Sequence, residues 1–326
     1  MAEPHPPMLA SSGDPDALVI VNSGSRSGSE APPDVALALD RVGVAVGALR
    51  ATGDPDEIVS AVRDALSRGA RRVIVGGGDG TVSLVAGLLT DGGAGDPSAA
   101  RREVVLGILP LGTGNDFARN LHIPRDLDGA CRVIAAGRVR AVPLGVANGR
   151  VFLNALSFGI SSAVTRRLTP DLKKRAGPLA YPVAAAAEGL APKPFRVAME
   201  IDRERVESGA LQVVVGNGRY HGAGTVVAPD ATLGDAQLDV YVVESAAEPQ
   251  DEGVAARAAN VLRLARVGML LRRGRHLEHE GVRHFRCARA RFECDPPQEV
   301  NADGELVGET PLACEVMPTA LRVLVP

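Results

Sequence analysis

Two glycine turns constrain this chain more than any other feature, because each interrupts an apolar run and opens a helical pattern. The first reads Val73-Ile74-Val75-Gly76-Gly77-Gly78-Asp79-Gly80-Thr81, the second Leu106-Gly107-Ile108-Leu109-Pro110-Leu111-Gly112-Thr113-Gly114-Asn115-Asp116. A buried strand that breaks into glycine and then into a helix leaves main-chain N–H groups and a helix N-terminus pointing at one place, which suits an anion. Asp79 adds a second constraint. Its carboxylate would repel a bare phosphate, whereas a phosphate carrying a divalent metal accommodates it. A nucleotide with Mg²⁺ satisfies both. Two familiar loops are excluded: Gly76 to Thr81 lacks the last glycine of G-x-G-x-x-G, and no G-x-x-x-x-G-K-[ST] occurs. Among 326 residues with 37 glycines, one such turn would be unremarkable, but two with the same strand-loop-helix context point to a site.

The surrounding pattern fits a parallel sheet. Strands are expected over Leu18 to Asn22, Arg72 to Gly76 and Val104 to Leu109, with helices over Glu57 to Arg68, Thr81 to Leu89 and Asn115 to Leu121. A loop rich in Gly, Asp and Pro joins them from Asp91 to Pro97. Strands alternating with helices bind ligands beyond the carboxyl ends of the strands, where both glycine loops lie. From about Val139 the texture changes to short apolar or β-branched runs: Val142 to Val146, Val151 to Ala155, Phe195 to Ile201, Ala210 to Gly216, Leu238 to Val243 and Ala290 to Cys294. Such runs, separated by Gly, Asn, Asp or Pro, predict an antiparallel β domain. The fold class is therefore α/β followed by β.

The residues Gly77-Gly78-Asp79-Gly80-Thr81, Pro110-Leu111-Gly112-Thr113-Gly114-Asn115-Asp116-Phe117-Ala118-Arg119 and Asp303-Gly304-Glu305 resemble the diacylglycerol kinase catalytic superfamily, and more closely its soluble bacterial lipid kinases. The likeness runs almost end to end. Val21-Asn22-Ser23-Gly24-Ser25-Arg26-Ser27-Gly28 resembles a loosened N-P-x-S-G, and similar segments follow at Phe152 to Ala155, Gly216 to Gly224, Ala228 to Ala231, Leu238 to Val240 and Ala320 to Pro326. The resemblance implies an N-terminal three-layer α/β nucleotide-binding domain over 16–139 after a disordered tail at 1–15. It also implies a C-terminal β-sandwich acceptor domain over 140–314, facing the first across a cleft, with 315–326 returning to the first domain. One departure stands out: Ser83 and Leu84 occupy positions where the family usually carries Asn and Glu.

Phosphoryl transfer needs positioned phosphates, a divalent metal and a carboxylate able to take a hydroxyl proton. Gly77, Gly78, Gly80 and Thr81, with Thr113 and Gly114 of the second loop and Asn22 of the first strand, are the candidates for positioning. Asp79 is the candidate metal-side carboxylate of the N-terminal half. Asn115 and Asp116 serve equally as cofactor or metal contacts and as caps of the helix they open. Residue by residue, Asp303-Gly304 reads as a hairpin turn; the resemblance instead makes Asp303 the general base and Glu305 a supporting residue. The same resemblance makes Asp235 a structural metal ligand, although Gly234 and Ala236 interrupt the usual D-D-G and a plain turn explains it as well. His221 is a loop histidine with no assigned role.

Composition narrows the class further. The formal net charge of −3 provides no global basic field, and 3% aromatics with no Trp leave few stacking platforms, so no nucleic-acid partner is expected. Cys131, Cys287, Cys294 and Cys314 lack C-x-x-C spacing and read as buried free thiols. No apolar stretch reaches a membrane span, and the first residues lack the pattern of a signal peptide. The expectation is a cytoplasmic protein that associates peripherally with membranes. Between Gly253 and His276 there are six arginines and no acid, interleaved with Val261, Leu262, Leu264, Val267, Met269, Leu270 and Leu271. This basic amphipathic segment is expected to meet an anionic lipid surface through Arg263, Arg266, Arg272, Arg273 and Arg275, or else to show solvent an arginine face over a buried leucine stripe. A second basic cluster comprises Arg166, Arg167, Lys173, Lys174 and Arg175.

The expectation is thus an ATP- and Mg²⁺-dependent lipid kinase with diacylglycerol as the leading acceptor. A sphingoid base, ceramide or phosphatidylglycerol kinase, an NAD kinase and a catalytically impaired lipid-binding module are the alternatives, and nothing in the sequence excludes a homodimer.

Overall fold

A computed structural model describes residues 17–25, 31–90, 103–160, 193–222, 224–229, 231–251 and 253–326. The expected N-terminal tail, the Asp91 to Pro97 loop and the Arg166 to Arg175 basic cluster lie outside the described residues, as do Arg26, Ser27, Gly28, Ala223 and Asp230. The chain divides into two compact units, the first built from 1–144, 149–151 and 317–326, the second from 145–148 and 152–316.

The first unit is a parallel sheet built from β1 (Leu18–Asn22), β2 (Ala48–Thr52), β3 (Arg72–Gly77), β4 (Val105–Pro110) and the end of the last strand. Its order is β2-β1-β3-β4, extended where Arg322 and Val323 pair with Val105 and Leu106. The strands β1, β3 and β4 are nearly continuous apolar runs, as a sheet covered on both faces requires. Helices α1 (Ala31–Arg41) and α2 (Pro55–Ser67) precede α3 (Asp79–Leu89), α4 (Asp116–Asn120) and α5 (Leu127–Ala136). The α1 helix packs on α5, and α2 packs on α3. In α2 the buried Ile58, Val62 and Ala65 recur at helical spacing, the Asp54 side chain caps the start, and Gly69 at φ +86° lets the chain leave.

The α3 helix begins at Asp79, two residues before the expected start. Gly78 is the extended N-cap residue, so Asp79 and Gly80 already belong to the first turn. A glycine so close to the helix end costs little, which is why the glycine run misplaces the boundary when read as a loop.

The second unit is antiparallel. Its strands are β7 (Ala155–Gly159), β8 (Phe195–Ile201), β9 (Glu204–Gly216), β12 (Leu238–Glu244), β13 (Val282–Cys287), β14 (Arg289–Asp295), β15 (Glu299–Ala302) and β16 (Glu305–Glu309). The short β10 (Tyr220–His221) and β11 (Thr225–Val226) form a separate hairpin. Strand β5 (Val139–Ala147) crosses from one unit to the other and is followed by β6 (Arg150–Phe152). Strand β17 (Leu312–Leu324) crosses back, pairing first with β14 antiparallel and last with β4 parallel. The core gathers Phe158, Phe195 and Phe292, with Phe158 centred 6.1 Å from Phe195 and 5.3 Å from Phe292. Removing one such ring costs about 3–5 kcal/mol.

The expected run from Val151 to Ala155 is split by a turn at Leu153 and Asn154 into the ends of β6 and β7. An 18-residue helix, α6 (Val254–Leu271), connects β12 to β13. Among the described residues no helix is long and apolar enough to cross a membrane.

Candidate active site

In the first unit the two glycine loops are built against each other at the carboxyl ends of neighbouring strands, β3 and β4. A side chain at Gly112 would place its Cβ far inside the van der Waals contact distance to Gly78 Cα, so glycine is obligatory there. The contact is asymmetric: a Cβ on Gly78 would meet Gly112 Cα at 3.3 Å. The Leu111 N–H donates to Gly77 O at 3.1 Å and continues the registration of the loops.

Side chains expected to touch a ligand hold these loops together. Asn22 Nδ2 donates to Thr81 Oγ1 at 2.7 Å while its Oδ1 accepts from the Gly24 N–H at 2.8 Å, tying the ends of β1 and the start of α3. Asp79 Oδ1 accepts from the Phe117 N–H at 3.0 Å and so links the first glycine loop to the helix that follows the second.

Asn115 is buried and left-handed, at φ 53° and ψ 44°. Its Nδ2 donates to Pro110 O at 3.1 Å and Gly112 O at 2.8 Å, and its Oδ1 accepts from the Gly112 N–H at 3.0 Å. The Asn115 amide, expected at the cofactor, is thus bonded within its own loop. Asp116 is buried in the first turn of α4. What the unit turns outward is Gly80, Thr113 and the α3 N-terminus, whose leading N–H groups have no partners within the helix. Ser83 and Leu84 lie half-buried within α3.

In the second unit Asp303 sits in the turn between β15 and β16, at φ 49° and followed by Gly304 at φ 95°. Consecutive left-handed residues make this the Asp-Gly hairpin turn that the residues suggested. The carboxylate nevertheless points back into the fold. Its Oδ2 accepts from the Leu153 N–H at 2.6 Å, and its Oδ1 accepts from Asn154 at 2.9 Å and Ala155 at 3.2 Å.

Burial pushes the Asp303 carboxyl above its ordinary pKa, while the three N–H donors and the His221 charge pull it down without cancelling the rise. His221, given no role from sequence, is therefore electrostatically tied to Asp303; its only sequence signal was its place in a segment resembling the family. Asn217 supports the same turn, its Nδ2 donating to Leu153 O at 2.9 Å. Glu305, by contrast, is exposed.

Asp235, expected as a metal ligand or a plain turn residue, sits in the loop that leads into β12. Its Oδ2 pairs with Arg286 at 2.7 Å and accepts from Thr232 Oγ1 at 3.1 Å, and its Oδ1 accepts from the Gln237 N–H at 3.2 Å. The cation beside this carboxylate is a guanidinium. Among the described residues no group of three or more His, Cys, Asp or Glu is arranged to hold a metal ion.

All four cysteines are free: Cys131, Cys287 and Cys314 are buried and Cys294 half-buried. Burial pushes the thiols up, to about 11 for Cys131 and about 12 for Cys287 and Cys294.

Residues 16–147 match the diacylglycerol kinase catalytic domain, and residues 154–325 match the YegS C-terminal NAD kinase beta sandwich-like domain. A Pseudomonas aeruginosa (strain UCBPP-PA14) protein named "Probable lipid kinase YegS-like" is 33% identical over 313 residues, covering 96% of this chain and 95% of its own. A diacylglycerol kinase of Staphylococcus haemolyticus is 30% identical over 297 residues, with 90% and 83% covered. The fold agrees with a crystal structure from Bacillus anthracis str. Sterne that bears a diacylglycerol kinase name, at a TM-score of 0.74 and 24% identity, with 95% of each chain covered. These matches and the paired glycine loops define the class, lipid kinases of the diacylglycerol kinase type. Within it, the chain belongs to the YegS-like lipid kinase family.

Proposed function

We propose that this protein transfers the γ-phosphoryl group of ATP to a lipid hydroxyl, with diacylglycerol the leading acceptor and phosphatidic acid the product. The observation that carries the reading is the pair of glycine loops locked at Gly78 and Gly112, which brings the α3 N-terminus and the second loop together at neighbouring strand ends. Main-chain N–H groups there bind the phosphates without side chains in the way. Asn22, Asn115 and Asp79 keep the loops in this arrangement.

The donor set fits Mg²⁺. This cation is commonly held by one or two carboxylates together with substrate phosphates, and the half-buried Asp79 at the phosphate loop supplies one carboxylate. When bound, the ion neutralises charge developing on the transferred group. Asp303 accepts the acceptor hydroxyl's proton. Its three main-chain donors stabilise the ionised form and fix its orientation, while the cover around it raises its basicity above that of a surface carboxylate.

A transfer assay with labelled ATP and Mg²⁺ over a panel of diacylglycerol, sphingoid base, ceramide, phosphatidylglycerol and NAD tests this reading. Labelled phosphatidic acid as the dominant product is expected. Exclusive labelling of NAD, or of none of the acceptors, would overturn it.

A further inference from the structure

The α6 helix presents a face that neither the fold nor the chemistry uses. Its inner side is firmly held. Val267, Leu264 and Leu271 pack on Tyr241, Val243 and Val282. Asn260 Oδ1 accepts from the Ala246 N–H at 2.7 Å, and Arg263 donates to Glu244 O at 3.2 Å and Ser245 O at 2.8 Å. Helical spacing then sends Val254, Ala258, Val261, Leu262, Ala265 and Met269 to the opposite side. There Val254 is 87% exposed, Val261 50%, Leu262 51% and Met269 59%. Four of the six exposed large hydrophobic side chains among the described residues are gathered on this one helix.

Charge borders the stripe. Arg266, Arg272 and Arg273 are exposed, and among the described residues no carboxylate pairs with them. Two further arginines expected at a lipid surface have partners within the chain. Arg263 is turned inward to the backbone, and Arg275 is paired with Glu278 at 2.6 Å. The arrangement also differs from an arginine face over buried leucines, because the outermost residues are apolar.

We propose that this face of α6 docks on an anionic bilayer, with Val261, Leu262 and Met269 entering the interfacial layer and Arg266, Arg272 and Arg273 holding lipid headgroups. A helix with an apolar face and flanking arginines lies in the interface plane. A second copy of the chain fits less well, because a self-complementary contact would bring the two sets of arginines together.

The helix is also coupled to the candidate base. After α6, His276 Nε2 donates to Val227 O at 2.9 Å, and the Val227 N–H donates to Arg219 O at 3.0 Å beside the hairpin that carries His221. A hydrogen-bonded link thus runs from the end of α6 to the segment that carries His221. The inference rests on the lipid-kinase reading for its purpose, but its test does not need the reaction.

Cosedimentation without ATP, on vesicles of equal parts phosphatidylglycerol and phosphatidylcholine, measures the docking. Each arginine near such a surface is worth about fivefold in partitioning, so changing Arg266, Arg272 and Arg273 together to Gln should weaken binding about 100-fold at low salt. The double variant Leu262→Asp, Met269→Asp should lose at least about tenfold at low and high salt alike. Because the chain has no Trp, Leu262→Trp gives a single reporter, whose emission should shift to the blue on these vesicles and not on pure phosphatidylcholine. Unshifted emission, unchanged partitioning of both substituted proteins, or a dimer that Leu262→Asp dissociates while vesicles go unbound would each overturn the proposal. Vesicle binding by a protein that phosphorylates no lipid would leave it standing and remove the kinase reading instead.

Discussion

The glycine loops of the first unit and the Asp303 turn of the second invert each other's construction. In the first unit the main chain is the proposed ligand-binding surface and the side chains of Asn22, Asn115 and Asp79 work as ties between loops. In the second unit the carboxylate of Asp303 is the proposed reacting group and the main chain of Leu153, Asn154 and Ala155 does the tying. Phosphate recognition needs several N–H groups aimed at one point, which only glycine-rich backbone supplies. Proton transfer needs one atom of controlled basicity, which needs a side chain in a made-to-measure environment.

The largest effect should come from Asp303. Asp303→Asn keeps the shape of the side chain but removes the proton acceptor, so turnover should fall by at least about 10²-fold with nucleotide affinity nearly unchanged. Wild-type turnover in the variant would break the contrast between the halves. Next comes Gly112. Gly112→Ala forces a Cβ into Gly78 and should destabilise the first unit by about 1–3 kcal/mol while abolishing nucleotide binding, whereas Gly78→Ala, facing 3.3 Å of space, should be milder in a thermal melt. The reverse order would mean that the loops do not meet as described.

Smaller effects concern pH. A raised Asp303 pKa places the acid limb of the rate profile above the ordinary carboxylate range, with activity rising as pH rises through it. His221 pulls that pKa down, so His221→Gln should move the limb to still higher pH; a limb that stays put would separate His221 from the site. The stability sign is opposite: a raised acid pKa means the folded state holds its proton longer, so this group's contribution shrinks as pH climbs from the unfolded value through the folded one.

His276 behaves the other way. Burial lowers its pKa from 6.5, so the unfolded chain binds the proton first and stability drops as pH falls below that value, by at most about 1.4 kcal/mol per pH unit. His276→Gln should flatten that dependence in thermal melts of the second unit, and an unchanged slope would assign it to another group.

How much of this the sequence discloses follows the same division. The glycine loops are legible because backbone requirements are written directly as glycine at fixed spacing after apolar strands. The parallel and antiparallel halves are legible through their periodicities, and Phe195–Ile201 is a strand at its predicted bounds. Helix α1 is hard to read because Pro32 and Pro33 stand in its first turn, where proline is tolerated but signals a break. The partners of Asp303 lie about 150 residues away, at sequence separations of 148 to 150, and no local pattern announces them. The same holds for Asp235, whose neighbouring sequence does not show Arg286 arriving from β13. The direction of the α6 arginines is likewise a matter of where β12 ends, since the carbonyls of Glu244 and Ser245 capture Arg263.

The crossing of β17 bears on how the chain is made. Its last segment supplies Arg322 and Val323 to the sheet edge beside β4, far along the chain from the strand they pair with. On a ribosome, β1 to β4 emerge early, yet the edge of β4 waits until β17 has followed. Until then β4 offers an open apolar strand edge, the kind that pairs with strangers. Emergence of β17, and not of β1 to β4, is the step that closes the sheet of the first unit.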